Sequence, residues 1–131
     1  MKIIVQCENF YSDKIYIQLT KNRIFPDENW YDFSVTLILD WLADIKKAEQ
    51  KNTVDFRMDF MEGNCGLLCS KNSETVSIII LENDRAKEIV EYIDFSSLKT
   101  AIVKAAKKIV REAGEKGIWN DELERLKTEL K

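Results

Sequence analysis

The side chains that could carry out chemistry in this chain are thiols and carboxylates, because its 131 residues include no histidine. Without histidine there is no Ser-His-Asp or Cys-His arrangement, and every metal site that needs an imidazole ligand is excluded. Three cysteines are present, Cys7, Cys65 and Cys69. The spacing of the last two differs from the CxxC of a zinc knuckle, so we interpret the thiols as small buried residues, free in a reducing compartment.

The carboxylates of Asp55, Asp59 and Glu62 form the other candidate set. Asp55 and Asp59 share one face of a predicted strand, with Arg57 between them. Such a pair could bind Mg²⁺ or act as an acid and a base. A solvent-facing strand surface with charges of alternating sign is the more usual explanation. We therefore predict no catalytic residue, no metal and no cofactor.

Charge is segregated along the chain. Residues 26–45 contain five acidic residues and no basic one, whereas residues 95–111 contain five basic residues and no acidic one. Most of the basic residues lie at helical spacing and would form one stripe: Lys104, Lys107, Lys108 and Arg111. Both segments could be solvated helix faces, and lysine is favoured late in a helix. Alternatively, they are docking surfaces of opposite charge.

The acidic segment also carries aromatic residues, and this combination is our candidate for a binding surface. Tryptophan and tyrosine are enriched among the residues that dominate binding energy. We expect Phe33 and Trp41 to lie in the core, and Trp30 or Tyr31 to be partly exposed. A basic protein partner would be attracted to this surface. The predicted partner-binding residues are Asp27, Glu28, Trp30, Tyr31, Asp40 and Asp44.

The elements that position these residues follow from hydrophobic periodicity. Alternation predicts strands over 2–7, 14–20, 54–60, 67–70 and 75–81, and β-branched residues favour a strand rather than a helix over 88–94. Helices are predicted over 33–50 with Asp32 as a possible N-cap, from a Ser96 or Ser97 cap to 113, and over 121–130 with Asn120 as the cap. The element order is ββ-α-βββ(β)-αα.

This order predicts a single α+β domain over residues 1–131. Its mainly antiparallel, five- to six-stranded sheet would be packed by two long helices. The first apolar stretch is too short for a secretory signal, and no run approaches the roughly 18 residues of a membrane span. We therefore expect a cytoplasmic protein that does not contact membranes. A net charge of −3 disfavours nucleic-acid binding, which depends on neutralising phosphates.

Two sequence patterns carry a family resemblance. The pattern Phe25-Pro26-x-x-x-Trp30-x-Asp32-Phe33 runs into an apolar helix, and Phe60-Met61-Glu62-Gly63 precedes a later strand. Together they resemble a group of small bacterial proteins that we associate with immunity proteins of polymorphic toxin systems. Glu62 stands where Asp is more usual, and the resemblance covers about residues 25–66. It implies a toxin-neutralising binder without an active site, although the patterns themselves look structural.

Three function classes follow. The first is a protein-binding module, most concretely an immunity-type protein that occludes a basic toxin domain. The second is a small enzyme or ligand-binding domain that uses carboxylates or thiols, which a pocket lined by Asp55, Asp59 or Cys65 would favour. The third is a structural subunit of a homo-oligomer, which a large self-complementary apolar patch would favour. The sequence leaves the partner and the oligomeric state open.

The absence of histidine generates a first prediction. We expect the purified protein to hold no structural zinc and no native disulfide, because three scattered thiols do not complete a four-ligand site. Elemental analysis of protein prepared without chelators, together with thiol titration under denaturing conditions, measures both. One equivalent of zinc per chain would contradict this prediction.

Overall fold

The strands of this chain form two separate antiparallel sheets, which pack with the helices around one hydrophobic core. The structure, a computed structural model, describes residues 1–83 and 85–131, with residue 21 described through its backbone only. The first sheet contains β1 (Lys2–Gln6), β2 (Asp13–Gln18), β3 (Ile24–Phe25) and β4 (Tyr31–Asp32). The second contains β5 (Thr53–Asp59), β6 (Cys65–Asn72), β7 (Thr75–Glu82) and β8 (Arg85–Asp94). The helices are α1 (Ser34–Glu49), α2 (Phe95–Lys116) and α3 (Asp121–Glu129).

The α+β class, the antiparallel pairing and the two long helices are confirmed, and residues 88–94 are a strand as predicted, within β8. The strands, however, divide between two sheets instead of joining one sheet of five or six strands. The outer edge of β1 lies along α2 and, within the described residues, is not paired with a strand of the second sheet. Lys108 Nζ donates a hydrogen bond to the carbonyl of Val5, and Lys116 Nζ donates to the carbonyl of Cys7. These two lysines occupy the carbonyls of Val5 and Cys7, so this part of the edge is not free to pair with another strand.

The first helix is buried over a broad face, as its sequence predicts. The buried residues of the predicted stripe are Val35, Ile38, Leu42, Ile45, Leu37, Trp41 and Ala48. Trp41 is 1% exposed, and its indole N–H donates to the carbonyl of Asp59 in β5 at 3.1 Å. This tryptophan therefore ties α1 to the second sheet. Phe33, by contrast, is only half-buried, because it precedes the helix and packs edge-on against the exposed Tyr11.

The helix ends follow the sequence in part: α3 begins as predicted, whereas α2 extends three residues beyond the predicted end at residue 113. Asn120 caps α3 as predicted, since its side chain accepts a backbone N–H of the first turn at 2.9 Å, and Gly117 ends α2 at a φ of +67°. The prediction that Ser96 or Ser97 caps α2 is wrong. Strand β8 runs directly into the helix after Asp94, and no loop remains for a capping serine. No helix in the described part of the chain is long and apolar enough to cross a membrane.

One charged side chain, Glu91, points into the core. It lies opposite Ile78 in the ladder between β7 and β8, so both side chains lie on the same face of the sheet. Ile78 is fully buried, Glu91 is 5% exposed, and neither carboxylate oxygen of Glu91 has a hydrogen-bond partner among the described residues. Burying an unpaired polar group opposes folding.

Replacing Glu91 with leucine should therefore stabilise the chain. We expect Glu91→Leu to raise the free energy of unfolding by about 1–3 kcal/mol, because the apolar side chain needs no hydrogen bond. Urea denaturation followed by tryptophan fluorescence measures this change. Glu88→Leu is the matched control on the same strand, since the Glu88 side chain is 77% exposed, and it should change stability by less than about 0.5 kcal/mol. A lower urea midpoint for Glu91→Leu would contradict the argument.

Candidate protein-binding surface

Two buried aspartates organise the loops of this molecule. Asp13 in β2 and Asp32 in β4 are cross-strand partners, and they are 0% and 1% exposed. A carboxylate so deeply buried is tolerated only when hydrogen bonds replace its lost water. Here the donors come from the loops that connect the strands and from the first residue of α1, so each carboxylate joins distant parts of the chain.

Asp13 holds the loop between β1 and β2. Its Oδ1 accepts three backbone N–H groups, from Glu8 at 2.7 Å, Asn9 at 3.0 Å and Phe10 at 3.2 Å. Its Oδ2 accepts the hydroxyl of Ser34, the first residue of α1, at 2.5 Å. The loop and the start of the helix are thereby fixed to the same carboxylate.

Asp32 holds the turn between β5 and β6 in the same way. Its Oδ2 accepts the indole N–H of Trp30 at 3.0 Å and the backbone N–H groups of Met61 at 3.0 Å and Glu62 at 3.1 Å. The prediction that Asp32 is the N-cap of α1 is wrong, because Phe33 occupies that position. The carboxylate binds the distant turn instead of the first turn of the helix.

An aromatic cluster fills the space beneath these carboxylates. Phe60 lies at its centre, with edge-on ring contacts to Phe25 at 5.9 Å, Trp30 at 6.1 Å and Trp41 at 5.3 Å between centroids. Gly63 has a φ of +123°, and a Cβ at that position would lie 3.2 Å from the Trp30 ring. Both sequence patterns that carry the family resemblance therefore meet at one structural junction. Within the described residues, their roles are packing and hydrogen bonding.

The junction brings three loops together, and we call the area they form the three-loop surface. Its exposed large side chains are Tyr11, Tyr31 and Met61, which are 66%, 43% and 52% exposed, and Trp30 is half-buried. A shallow groove runs across it, lined by Ser12, Asn29, Trp30, Tyr31 and Glu62. The surrounding carboxylates belong to Glu8, Asp27, Glu28 and Glu62, all of which are exposed.

Hydrogen bonds fix the side chains of this surface. The Tyr31 hydroxyl donates to Glu8 at 3.1 Å, and this bond to a carboxylate raises the pKa of Tyr31. Asp27 accepts the backbone N–H of Asn29 at 2.7 Å, which shapes the loop between β3 and β4. Lys14 Nζ lies 5.9 Å from the centre of the Tyr31 ring and is a cation at this otherwise acidic surface.

The structure does not place Asp40 and Asp44 with the other predicted partner-binding residues. They line a groove of about 340 Å³ between α1 and β5, together with Arg57 and Asp59. Burial raises the pKa of Asp44, and the charge of Asp40 raises it further. Burial also raises the pKa of Asp40, which Arg125 partly offsets. The acidic segment is therefore two separate sites, and cations from other elements lie near the second.

The basic stripe of α2 is likewise less uniform than predicted. Lys104, Lys107 and Arg111 are exposed. Lys108 is half-buried, because its ammonium group reaches the carbonyl of Val5 on the edge of β1. One member of the stripe thus has a structural role that the sequence did not indicate.

The cysteines are poorly suited to nucleophilic chemistry. Burial raises the pKa of Cys7 to about 11 and that of Cys69 to about 12, so both thiols are protonated at neutral pH. Cys65 is only half-buried, which corrects the prediction that all three are buried, because it lies at the exposed start of β6. Within residues 1–83 and 85–131, no cluster of three or more cysteine or carboxylate side chains could hold a metal ion.

Sequence reasoning missed Glu8, Tyr11 and Met61 of the three-loop surface, and also the buried Asp13 that holds one of its loops. Periodicity assigns Tyr11 and Met61 to turns but does not show that two turns 50 residues apart are neighbours. A usable signal was present in residues 9–13, where Asn and Asp flank an aromatic pair, a pattern of side-chain bonds to turn backbone.

Comparison with known proteins finds no matching family model, no similar curated protein and no similar solved structure. Any function assigned to the three-loop surface therefore depends on its own geometry and charge.

The role of Asp32 as the link between loops generates a stability prediction. Asp32→Asn replaces one accepting oxygen by an NH₂ group that faces N–H donors, so we expect a loss of about 2–4 kcal/mol in the free energy of unfolding. Asp27→Asn is the control, because Asp27 is exposed and an amide oxygen can still accept the Asn29 N–H. Urea denaturation compares the two. Equal midpoints for Asp32→Asn and the unmodified chain would show that the carboxylate does not hold the turn.

Proposed function

We propose that this chain is a protein-binding module without catalytic activity, most concretely a toxin-neutralising protein of the immunity type. It would act by occlusion, covering a basic region of its partner with the three-loop surface. The observation that carries the proposal is the exposure of three largely apolar side chains, Tyr11 and Met61 on loops and Tyr31 in β4, next to two buried aspartates that hold the loops in place.

The composition of the three-loop surface supports a protein partner. Tyrosine, tryptophan and methionine are enriched at the centres of protein interfaces, and polar residues form the rims. The loops are also preorganised, because Asp13 and Asp32 bond their backbone N–H groups directly. A preorganised surface loses less conformational entropy on binding, so more of its contact energy appears as affinity.

The charge of the surface supports a basic partner. The loops carry the exposed carboxylates of Glu8, Asp27, Glu28 and Glu62, and Lys14 is the cation described beside Tyr31. An acidic surface accelerates association with a positively charged cleft and disfavours partners of the same sign. The phosphate-binding cleft of a nuclease toxin has the required positive charge.

Asp40 and Asp44 belong to the proposal as a second acidic contact. Because burial raises their pKa values, keeping them ionised opposes folding, more at the half-buried Asp44 than at the exposed Asp40, whose charge water screens. That cost is present above the raised folded pKa and disappears as the pH falls through it and the carboxylates become protonated. A cationic partner would offset the cost at neutral pH. Residues that weaken folding are typical of binding sites.

The test of the proposal is rescue of a toxin. The proposal predicts that a gene beside the one for this chain encodes a toxic domain, and that cells expressing that domain survive when this chain is co-expressed. The double variant Tyr31→Ala/Met61→Ala should lose protection and weaken binding by at least about 2 kcal/mol, roughly 30-fold, as for truncation of interface hot spots. Isothermal calorimetry measures the affinity, and circular dichroism checks that the variant folds.

Charge reversal separates the two acidic contacts. Asp27→Lys/Glu28→Lys should slow association about tenfold at low salt, and the difference should shrink as salt screens the charges. Asp40→Lys/Asp44→Lys tests the groove beside β5 in the same assay. The control is Lys104→Glu/Lys107→Glu, because both lysines are exposed whereas Lys108 is fixed to β1. Loss of binding in the lysine variant alone would show that α2 docks and that the three-loop surface does not.

A further inference from the structure

The outer edge of β1 has backbone groups whose direction can be worked out from one hydrogen bond. The N–H of Ile15 in β2 donates to the carbonyl of Trp30 at 3.0 Å, on the side of β2 away from β1. Ile15 lies opposite Val5, so this pair exchanges no hydrogen bond. The N–H and C=O groups of Val5 therefore point away from β2, toward α2. Because this direction repeats every second residue along an antiparallel strand, the same holds for Ile3.

Lysines of α2 occupy two of the outward carbonyls. Lys108 Nζ donates to the carbonyl of Val5, and Lys116 Nζ donates to the carbonyl of Cys7 at 2.9 Å. A buried sheet edge needs such partners, because unpaired backbone groups are costly away from water. The second half of β1 is therefore closed by the helix.

The position of Ile3 is different, because a groove of about 500 Å³ lies between this part of β1 and α2. Residues 1–4 line one side, and Thr100 and Lys104 are among the residues of the other. Lys104 lies one helical turn, about 6 Å, before Lys108 in α2. This spacing matches the two-residue distance along β1 from Ile3 to Val5, the next residue whose backbone groups point outward. Lys104 is exposed and makes no ion pair or hydrogen bond with the described part of the chain.

We propose that this β1-edge groove binds an extended, acidic peptide segment of a partner protein. The segment would add to β1 as a strand, pairing with the outward N–H and C=O of Ile3, the usual geometry of peptide addition to a sheet edge. A carboxylate of the segment would pair with Lys104. Charge supports this occupant, because the groove lining contains Lys2 and Lys104 and no acidic residue.

A second copy of the chain suits the groove less well, since its own β1 would bring Lys2 against these same lysines. The β1-edge groove is also distinct from the three-loop surface, whose proposed partner is basic. Its test therefore succeeds or fails independently of toxin neutralisation.

The probe is a seven-residue peptide of alternating valine and glutamate, acetylated and amidated at its ends. We expect it to shift the backbone amide resonances of Ile3 and of residues 96–104 in the ¹⁵N-labelled full chain. The dissociation constant should be about 1 mM, as for a short strand that is not preorganised. A peptide with lysine in place of glutamate should bind at least about tenfold more weakly. A peptide N-methylated at alternate residues, which cannot complete the ladder, should produce no shifts.

Two variants of the chain form a matched pair. Lys104→Glu should weaken the glutamate peptide about tenfold, whereas Lys107→Glu, equally exposed but outside the groove, should change its affinity by less than about twofold. Absence of shifts at millimolar peptide overturns the proposal, as does equal binding of the N-methylated peptide. Equal binding of the lysine peptide overturns the acidic occupant. Sedimentation of the free chain as a dimer that Lys2→Glu strengthens would assign the groove to a second copy instead.

Discussion

The burial of two carboxylates, Asp13 and Asp32, is the constraint on which the rest of the structure depends. A buried charge must be compensated locally, and the compensating donors here are backbone N–H groups of loops and turns. The loops cannot move without uncovering a charge inside the protein. The backbone of the three-loop surface is thus held from the interior, and contacts such as that of Tyr31 with Glu8 then orient the exposed side chains.

Two opposite uses of charge are visible in the same fold. The carboxylates of Asp13 and Asp32 accept hydrogen bonds from backbone N–H groups, whereas the ammonium groups of Lys108 and Lys116 donate to the backbone carbonyls of Val5 and Cys7. In both cases a charged side chain makes a hydrogen bond with backbone groups that have no partner in a helix or a sheet. Glu91 shows the contrasting case, because its buried carboxylate has no such donors among the described residues.

The sequence predicts those parts of the fold whose cause is local. The apolar stripe of α1, the cap at Asn120 and the alternation of β5 each depend on residues within a few positions, and each is found. The separation into two sheets could not be predicted, because it is a matter of which strands pair and of contacts far apart in sequence, such as that of Lys108 with Val5 across 103 positions. Asp32 looked like a helix cap for the same reason: its partners in the β5–β6 turn are 29 and 30 positions away.

The candidate site shows the same limit. Aromatic residues near acidic ones could be recognised in the sequence, and Asp27, Glu28 and Tyr31 are all exposed, in β4 and the loop before it. Asp40 and Asp44 were grouped with them because they are close in sequence, but α1 carries them away to a groove beside β5. The net charge of a sequence segment does not predict the charge of one surface when a helix in that segment carries its residues to a different part of the molecule.

The long-range bonds of Asp32 also have a consequence for folding order. The carboxylate can be satisfied only after the β5–β6 hairpin has formed and docked against the loop that contains Trp30. Contacts so distant in sequence close late, because chain entropy must be overcome first. A nascent or partly unfolded chain would therefore lack the assembled three-loop surface. Recognition by this surface would be limited to fully folded chains, because only these have the buried Asp32 carboxylate bonded to the β5–β6 turn.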